Sequence, residues 1–314
     1  MTILLLAVGF LGLVGGAELL VRGGAALALR LGIPPLVVGL TVVAWGTSSP
    51  ELVVSAAGAL SGRGDLAFGN VVGSNICNVG LILGLSAIVR PLVVHVDLVR
   101  RDVPLMLGVS VALTVLALDR DIGRWEGLAF VLVLVAATAY QLLSERRGPQ
   151  RSAQDLLAIG GPPPAAQADL RRSLLFVGVG LLILIGGGQA FVSGAVRAAR
   201  TLGMSEAVIG LTVVAVGTSL PELATSLVAA CRGQVDLAVG NVVGSNIFNV
   251  LGVLGITALA QPLRGVGVGV TDLAVMLGLA ALLLPLARTG WRLDRREGAL
   301  LLAIYAGYTA WLVL

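Results

Sequence analysis

The chain has 314 residues, 57% of them hydrophobic and 12% charged, with a net charge of +4 and a mean hydropathy of +0.99. Soluble domains carry about 25% charged residues, so the composition excludes a water-soluble domain and points to an all-α, polytopic membrane protein. The positive charge is no nucleic-acid signal: all 21 basic residues are Arg, they sit in short loops, and they form no basic stripe.

Spans of about 20 apolar residues are needed to cross a bilayer. Charged and Pro/Gly breaks place them near 2–21, 36–60, 67–89, 103–118 and 125–144, and again near 173–193, 207–230, 238–260, 270–287 and 298–314. The first opens on Met1 and Thr2 without a basic flank, so it reads as a retained span and not a cleaved leader. Residues 1–144 thus form one five-helix repeat and 173–314 a second. The Pro-, Gly- and Arg-rich segment 145–172 is an exposed linker between them. Fifteen arginines, among them Arg22, Arg30, Arg90, Arg146, Arg171 and Arg232, fall on one side of this arrangement, and six fall on the other. The positive-inside rule makes the first side cytoplasmic, with the linker inside and both termini outside.

The halves align at a constant offset of 171 residues: 36–91 matches 207–262 without a gap, with 33 identities in 56 positions. Five spans per unit is an odd number, so the second copy must enter from the opposite side. That predicts an inverted 5+5 repeat of ten transmembrane helices, the plan of secondary transporters, with a site at the midplane.

The strongest match is Gly39-Leu-Thr-Val-Val-Ala-Trp-Gly-Thr-Ser-Ser-Pro-Glu51, which returns as Gly210-Leu-Thr-Val-Val-Ala-Val-Gly-Thr-Ser-Leu-Pro-Glu222. Pro50 and Pro221 have no amide hydrogen and clash with the carbonyls of Gly46 and Gly217, so helices 2 and 7 should be broken there. The adjoining Gly-Thr-Ser is expected to unwind further and to free the carbonyls of Ala44, Thr47, Ala215 and Thr218, tolerable at membrane depth only where protein or a wet cavity satisfies them. Glu51 and Glu222 follow in the first turn of the next half-helix, where negative charge is favoured. A capped proline kink would explain one copy. Two copies, each ending in a membrane-embedded carboxylate, point to a site.

The second motif is Gly69-Asn-Val-Val-Gly-Ser-Asn-Ile-Cys-Asn78, repeated as Gly240-Asn-Val-Val-Gly-Ser-Asn-Ile-Phe-Asn249. Asn70, Ser74 and Asn78 share one helix face. The Gly-x-x-x-Gly pairs suit close helix approach, and Asn75 and Asn246 read as interhelical packing. Ser74, Asn78, Ser245 and Asn249 read as lining the site. The donor set is hard oxygen, without His or Cys, which selects alkali and alkaline-earth cations over zinc or copper. Calcium, with 6–8 irregular oxygen ligands, fits better than octahedral magnesium. Two carboxylates are neutralised equally by one divalent cation or by two protons, and over-neutralised by three sodium ions.

At these motifs the chain resembles the cation/calcium exchanger superfamily, and within it the prokaryotic sodium/calcium exchangers. The resemblance implies exchange of Ca2+ for Na+ by alternating access in the cell's inner membrane. Carried onto this sequence, it makes Glu51 and Glu222 the shared central ligands. Thr47 and Thr218 would give backbone oxygen to calcium. Ala44, Ser48, Ser74, Ala215, Ser219 and Ser245 would complete sodium sites, with Asn78 and Asn249 between them. Asn249 stands where well-studied members tend to have aspartate, which leaves a Ca2+/H+ antiporter of the same fold as the alternative. The expected partners are the transported ions and the bilayer, with no cofactor, no nucleic acid, and a single copy sufficing. A passive channel would need weak, multiple sites, and an intramembrane enzyme would need a nucleophile or metal-binding His beside the glutamates; neither is expected. Glu18 is read as an interfacial residue or a partner of Arg22, and His95 as a solvated loop residue. Trp125, Trp291, Trp311, Tyr305 and Tyr308 read as interfacial aromatics.

Overall fold

The structure, a computed structural model, describes residues 1–118, 121–147, 169–202, 215–264 and 269–313. It is built almost wholly from helices. Among the described residues six are long and apolar enough to cross a membrane, and one bent pair raises the number to seven. Helix α1 (Thr2–Leu31) is followed by α2 (Pro35–Thr47) and α3 (Ser49–Leu60), which meet at 44°. Then come α4 (Gly64–Val89), α5 (Val103–Leu116) and α6 (Arg124–Arg147). The second half holds α7 (Leu170–Thr201), α8 (Ala215–Thr218), α9 (Leu220–Cys231), α10 (Val235–Ala260), α11 (Val270–Arg288) and α12 (Arg295–Val313).

Helices α1 and α7 run well past the predicted 2–21 and 173–193. Thirty residues of helix span about 45 Å against about 30 Å of hydrocarbon, so a membrane helix is free to overshoot and carry Arg22 and Arg30 beyond the apolar zone. The stop is local: Gly32 adopts φ 66°, and its N–H returns to the carbonyls of Ala28 and Leu29, a left-handed cap that favours glycine. The two long helices pack antiparallel, because Gly9 lies against Phe191, Gly12 against Gly187, Gly16 against Leu184, and Gly23 against Val177. A β-carbon at any of these would fall within 3 Å of the partner's backbone, so glycine sets the separation.

Helices α4 and α10 form the buried centre, and α2 crosses α10 closely where Gly240 and Gly244 meet the backbone of Leu36 and Leu40. The segment expected to meet Gly69 and Gly73 in the same way, 207–214, lies outside the described residues, as does most of the 145–172 linker. The bounds of α3 and α4 repeat at the sequence offset in α9 and α10. The α4 helix turns π-helical over Asn78–Leu83 and α10 over Asn249–Leu254, each stretch beginning on the last asparagine of its motif. Single-turn π segments inside α-helices often mark functional sites.

Two short antiparallel ladders join the halves. Strand β1 (Leu92–Val93) pairs with β4 (Arg292–Leu293), and β2 (Asp121–Ile122) with β3 (Leu263–Arg264). Strands β1 and β3 start 171 residues apart, as do β2 and β4, so each ladder pairs one connection with the counterpart of the other.

Two expectations need correction. His95 is not simply solvated: its Nε2 lies 3.1 Å from Asp236 Oδ2 at the start of α10. Tyr305 is not interfacial, because it packs against Gly80 two residues beyond Asn78, deep in the helix bundle. Glu18 does bond Arg22, and it also receives Arg232 through Nε at 2.9 Å and Nη2 at 2.7 Å.

Candidate functional site

The break in each motif is narrower than the residue types suggest. Among the described residues of each motif only one leaves helical geometry, Ser48 at φ −84°, ψ 9° and Ser219 at φ −85°, ψ 7°. The Ala44 carbonyl is not freed, since it accepts the Ser48 N–H at 3.0 Å and the Thr47 hydroxyl at 3.3 Å. The Gly46 carbonyl, which the proline deprives of its helical donor, accepts from Ser49 Oγ at 2.6 Å. In the first copy a local hydroxyl therefore satisfies what proline releases, whereas the second has Leu220 at that position; in both the chain resumes as a helix at once. Its first turn holds the acidic residue: Glu51 opens α3 and Glu222 opens α9, both fully buried.

The two breaks face each other across the molecule. Ser48 Oγ donates to Glu222 Oε1 at 2.7 Å, and Ser219 Oγ donates to Glu51 Oε1 at 3.2 Å. Each serine thus bonds the carboxylate of the opposite half, so four predicted site residues meet at one place. Thr47 Oγ1 donates across to Asn241 Oδ1 at 3.1 Å, and Thr218 Oγ1 to Asn70 Oδ1 at 3.5 Å.

The sequence reading placed Asn70 on the face of the candidate site but assigned neither asparagine, and both join the cluster. Asn241 Nδ2 donates to the Glu222 carbonyl at 3.4 Å and to Ser226 Oγ at 2.9 Å. Asn70 Nδ2 does the same for the Glu51 carbonyl at 3.2 Å and Ser55 Oγ at 3.0 Å. Each asparagine ties the acidic turn of its own half to the threonine of the other. Identity in both copies, with Ser55 and Ser226 matched as well, was the signal available in the sequence.

The unsatisfied atoms define the site. Some buried hydroxyls in these helices bond a carbonyl one turn back, as Thr41 does to Val37 and Ser110 to Met106. Ser74 Oγ and Ser245 Oγ make no such bond. Glu51 Oε2, Glu222 Oε2, Asn78 Oδ1 and Asn249 Oδ1 are likewise buried without a partner. These six oxygens form three pairs at the 171-residue offset. Among the described residues four further buried atoms lack partners, on Ser86, Thr225, Gln234 and Thr257, all outside the two motifs. Ala44 is buried, and Ala215 begins α8.

No arginine or histidine pairs with either glutamate among the described residues. Two buried carboxylates without a counter-charge cost several kcal/mol each. The arrangement is therefore complete only when a cation or protons arrive. Unpartnered oxygens of carboxylate, amide and hydroxyl type are the hard donors that calcium and sodium take, and they disfavour soft metals.

Similarity to known proteins agrees with this chemistry. The family model described as "Sodium/calcium exchanger protein" matches residues 1–143 and 172–314. The chain is 38% identical to a putative antiporter, CaxA, of Alkalimonas amylolytica over 309 residues, covering 96% of this chain and 95% of that protein. It is 43% identical to the inner membrane protein YrbG of Escherichia coli over 266 residues, 82% of this chain and 79% of the relative. A solved structure of the sodium-calcium exchanger NCX_Mj superposes with a TM-score of 0.84 at 30% identity, covering 98% of this chain and 97% of the other. The protein is a membrane cation exchanger and not an enzyme, and it belongs to the sodium/calcium exchanger family.

Proposed function

We propose that the chain exchanges Ca2+ for Na+ across the inner membrane by alternating access, with ten spans arranged as an inverted 5+5 repeat. The observation that carries this is the set of six buried, unpartnered oxygens on Glu51, Glu222, Ser74, Ser245, Asn78 and Asn249. A fold that satisfies its other buried acid and most of its hydroxyls leaves these open in matched pairs, as a binding cage for a cation requires. In this reading Glu51 and Glu222 bridge the calcium. Main-chain oxygen of Thr47 and Thr218 adds to them. Ser48, Ser219, Ser74, Ser245 and the carbonyls of Ala44 and Ala215 complete sodium sites around Asn78 and Asn249. The Ala44 carbonyl does so on the lone pair that faces the Thr47 hydroxyl, whose proton goes to Asn241 Oδ1 instead.

The antiparallel α1/α7 pair and the two reciprocal ladders support the inverted arrangement. The arginine distribution supports both termini outside and the 145–172 linker in the cytoplasm. The name of the Escherichia coli relative supports the inner membrane. One copy contains both halves of the cage, which supports function as a monomer.

A second reading rests on charge. The cage holds two carboxylates and a neutral asparagine pair, so two protons would balance one calcium as well as sodium ions would. Proteoliposomes loaded with 45Ca separate the two. The proposal expects efflux driven by an inward sodium gradient at clamped pH. Efflux that ignores sodium and follows a proton gradient would replace it with Ca2+/H+ exchange.

A further inference from the structure

A primary amide at a cation site helps or hinders according to which way it faces, because one end is an oxygen acceptor and the other a nitrogen donor. For Asn78 and Asn249 the surrounding bonds decide the direction. Asn78 Nδ2 donates to Asn246 Oδ1 at 3.0 Å, and Asn249 Nδ2 donates to Asn75 Oδ1 at 3.1 Å. Each bond crosses between α4 and α10, and each leaves Oδ1 as the unpartnered, buried end.

The second asparagine in each chain is itself an amide and could turn, so the orientation must be fixed further out. Asn246 Nδ2 reaches Met106 Sδ on α5 at 3.3 Å, and Asn75 Nδ2 reaches the main-chain carbonyl of Asn246 at 3.4 Å. A thioether and a main-chain carbonyl can only accept. Each relay therefore ends on a group that admits one polarity. The anchor must see a nitrogen, the middle amide must present its oxygen, and the inner amide must keep its oxygen free.

We infer that Met106, Asn246 and Asn75 are positioning residues that hold the amide oxygens of Asn78 and Asn249 toward the cage, making both neutral oxygen donors to a cation. This rests on the proposed function and assigns a specificity role to residues that do not touch the ion. The consequence is that the centre of the cage attracts cations without carrying a titratable charge, so exchangeable charge is confined to Glu51 and Glu222.

Met106 is the addressable anchor, because leucine keeps its bulk and removes its acceptor. Calcium binding by the purified full-length protein is measured by calorimetry, with 45Ca uptake in proteoliposomes alongside. Asn246→Ala is expected to raise the calcium concentration at half-saturation about tenfold, and Met106→Leu about threefold, with maximal uptake retained. In the Asn246→Ala background, Met106→Leu is expected to add nothing, since it acts only through that amide. A packing role would lower the melting temperature and leave half-saturation where it was. Unchanged calcium affinity in Met106→Leu, or additive effects in the double variant, would overturn the inference while leaving the exchanger reading intact. A wild-type protein that binds no calcium would remove both.

Discussion

Among the described residues two places bury a carboxylate, and they are treated in opposite ways. Asp102, fully buried at the start of α5, accepts Arg101 Nε at 2.9 Å and Gln141 Nε2 from α6 at 3.0 Å, and Arg101 reaches on to Ser144. Both of its oxygens are engaged, and a positive charge sits beside it. Glu51 and Glu222 are equally buried, yet each keeps one oxygen open and neither has a basic partner among the described residues. The fold is able to satisfy an acid in its interior and does so where the acid serves packing. Leaving two unsatisfied, in matched positions, is destabilising, and the proposed bound cation would offset that cost.

The contrast can be broken from either side. The largest effect is expected for Glu51→Gln or Glu222→Gln. Each removes half of the cage's charge and should lower 45Ca uptake by about a hundredfold or more, roughly 3 kcal/mol. With less uncompensated charge buried, the melting temperature of the cation-free protein should hold or rise. Near-normal uptake in either variant would remove the site assignment. The converse variant, Asp102→Ala, takes an acceptor from Arg101 and Gln141 and should destabilise the fold by about 2–3 kcal/mol. Its calcium half-saturation, measured on the folded fraction, should stay unchanged. A shift in ion affinity there would mean that Asp102 is part of the transport machinery. A smaller and more specific effect is expected for Asn249→Asp. It adds a third acid at the centre of the cage and should change sodium or pH dependence about tenfold while calcium selectivity holds. Unchanged ion dependence would count against the central position given to that residue.

Most of the candidate cage could be read from the sequence because its residues are doubled. Glu51, Ser74 and Asn78 recur at one offset as Glu222, Ser245 and Asn249, and repetition separates a site from a chance proline kink. The bonds that finish it could not be read. Ser48 reaches Glu222 and Thr47 reaches Asn241 only because the two breaks face each other, and such pairings across nearly 200 residues leave no local pattern. The depth of the break was also misjudged. Ser49 returns its hydroxyl to the Gly46 carbonyl, so the backbone departs from helix at a single residue and not over the whole Gly-Thr-Ser. Helix ends were uncertain for another reason. In a membrane protein apolar runs mark where lipid ends, whereas α1 stops where Gly32 permits a left-handed turn. His95 and Arg232 found acidic partners, Asp236 and Glu18, in distant elements, which composition alone does not disclose.

The measurement closest to the central claim is a crystal structure of the full chain soaked in calcium, with the metal located by its anomalous scattering. One calcium ion is expected between the two halves, with at least one oxygen of Glu51 and one of Glu222 at about 2.3–2.6 Å. Calcium bound elsewhere, or held by one of the two glutamates while the other stays remote, would contradict the shared-ion cage.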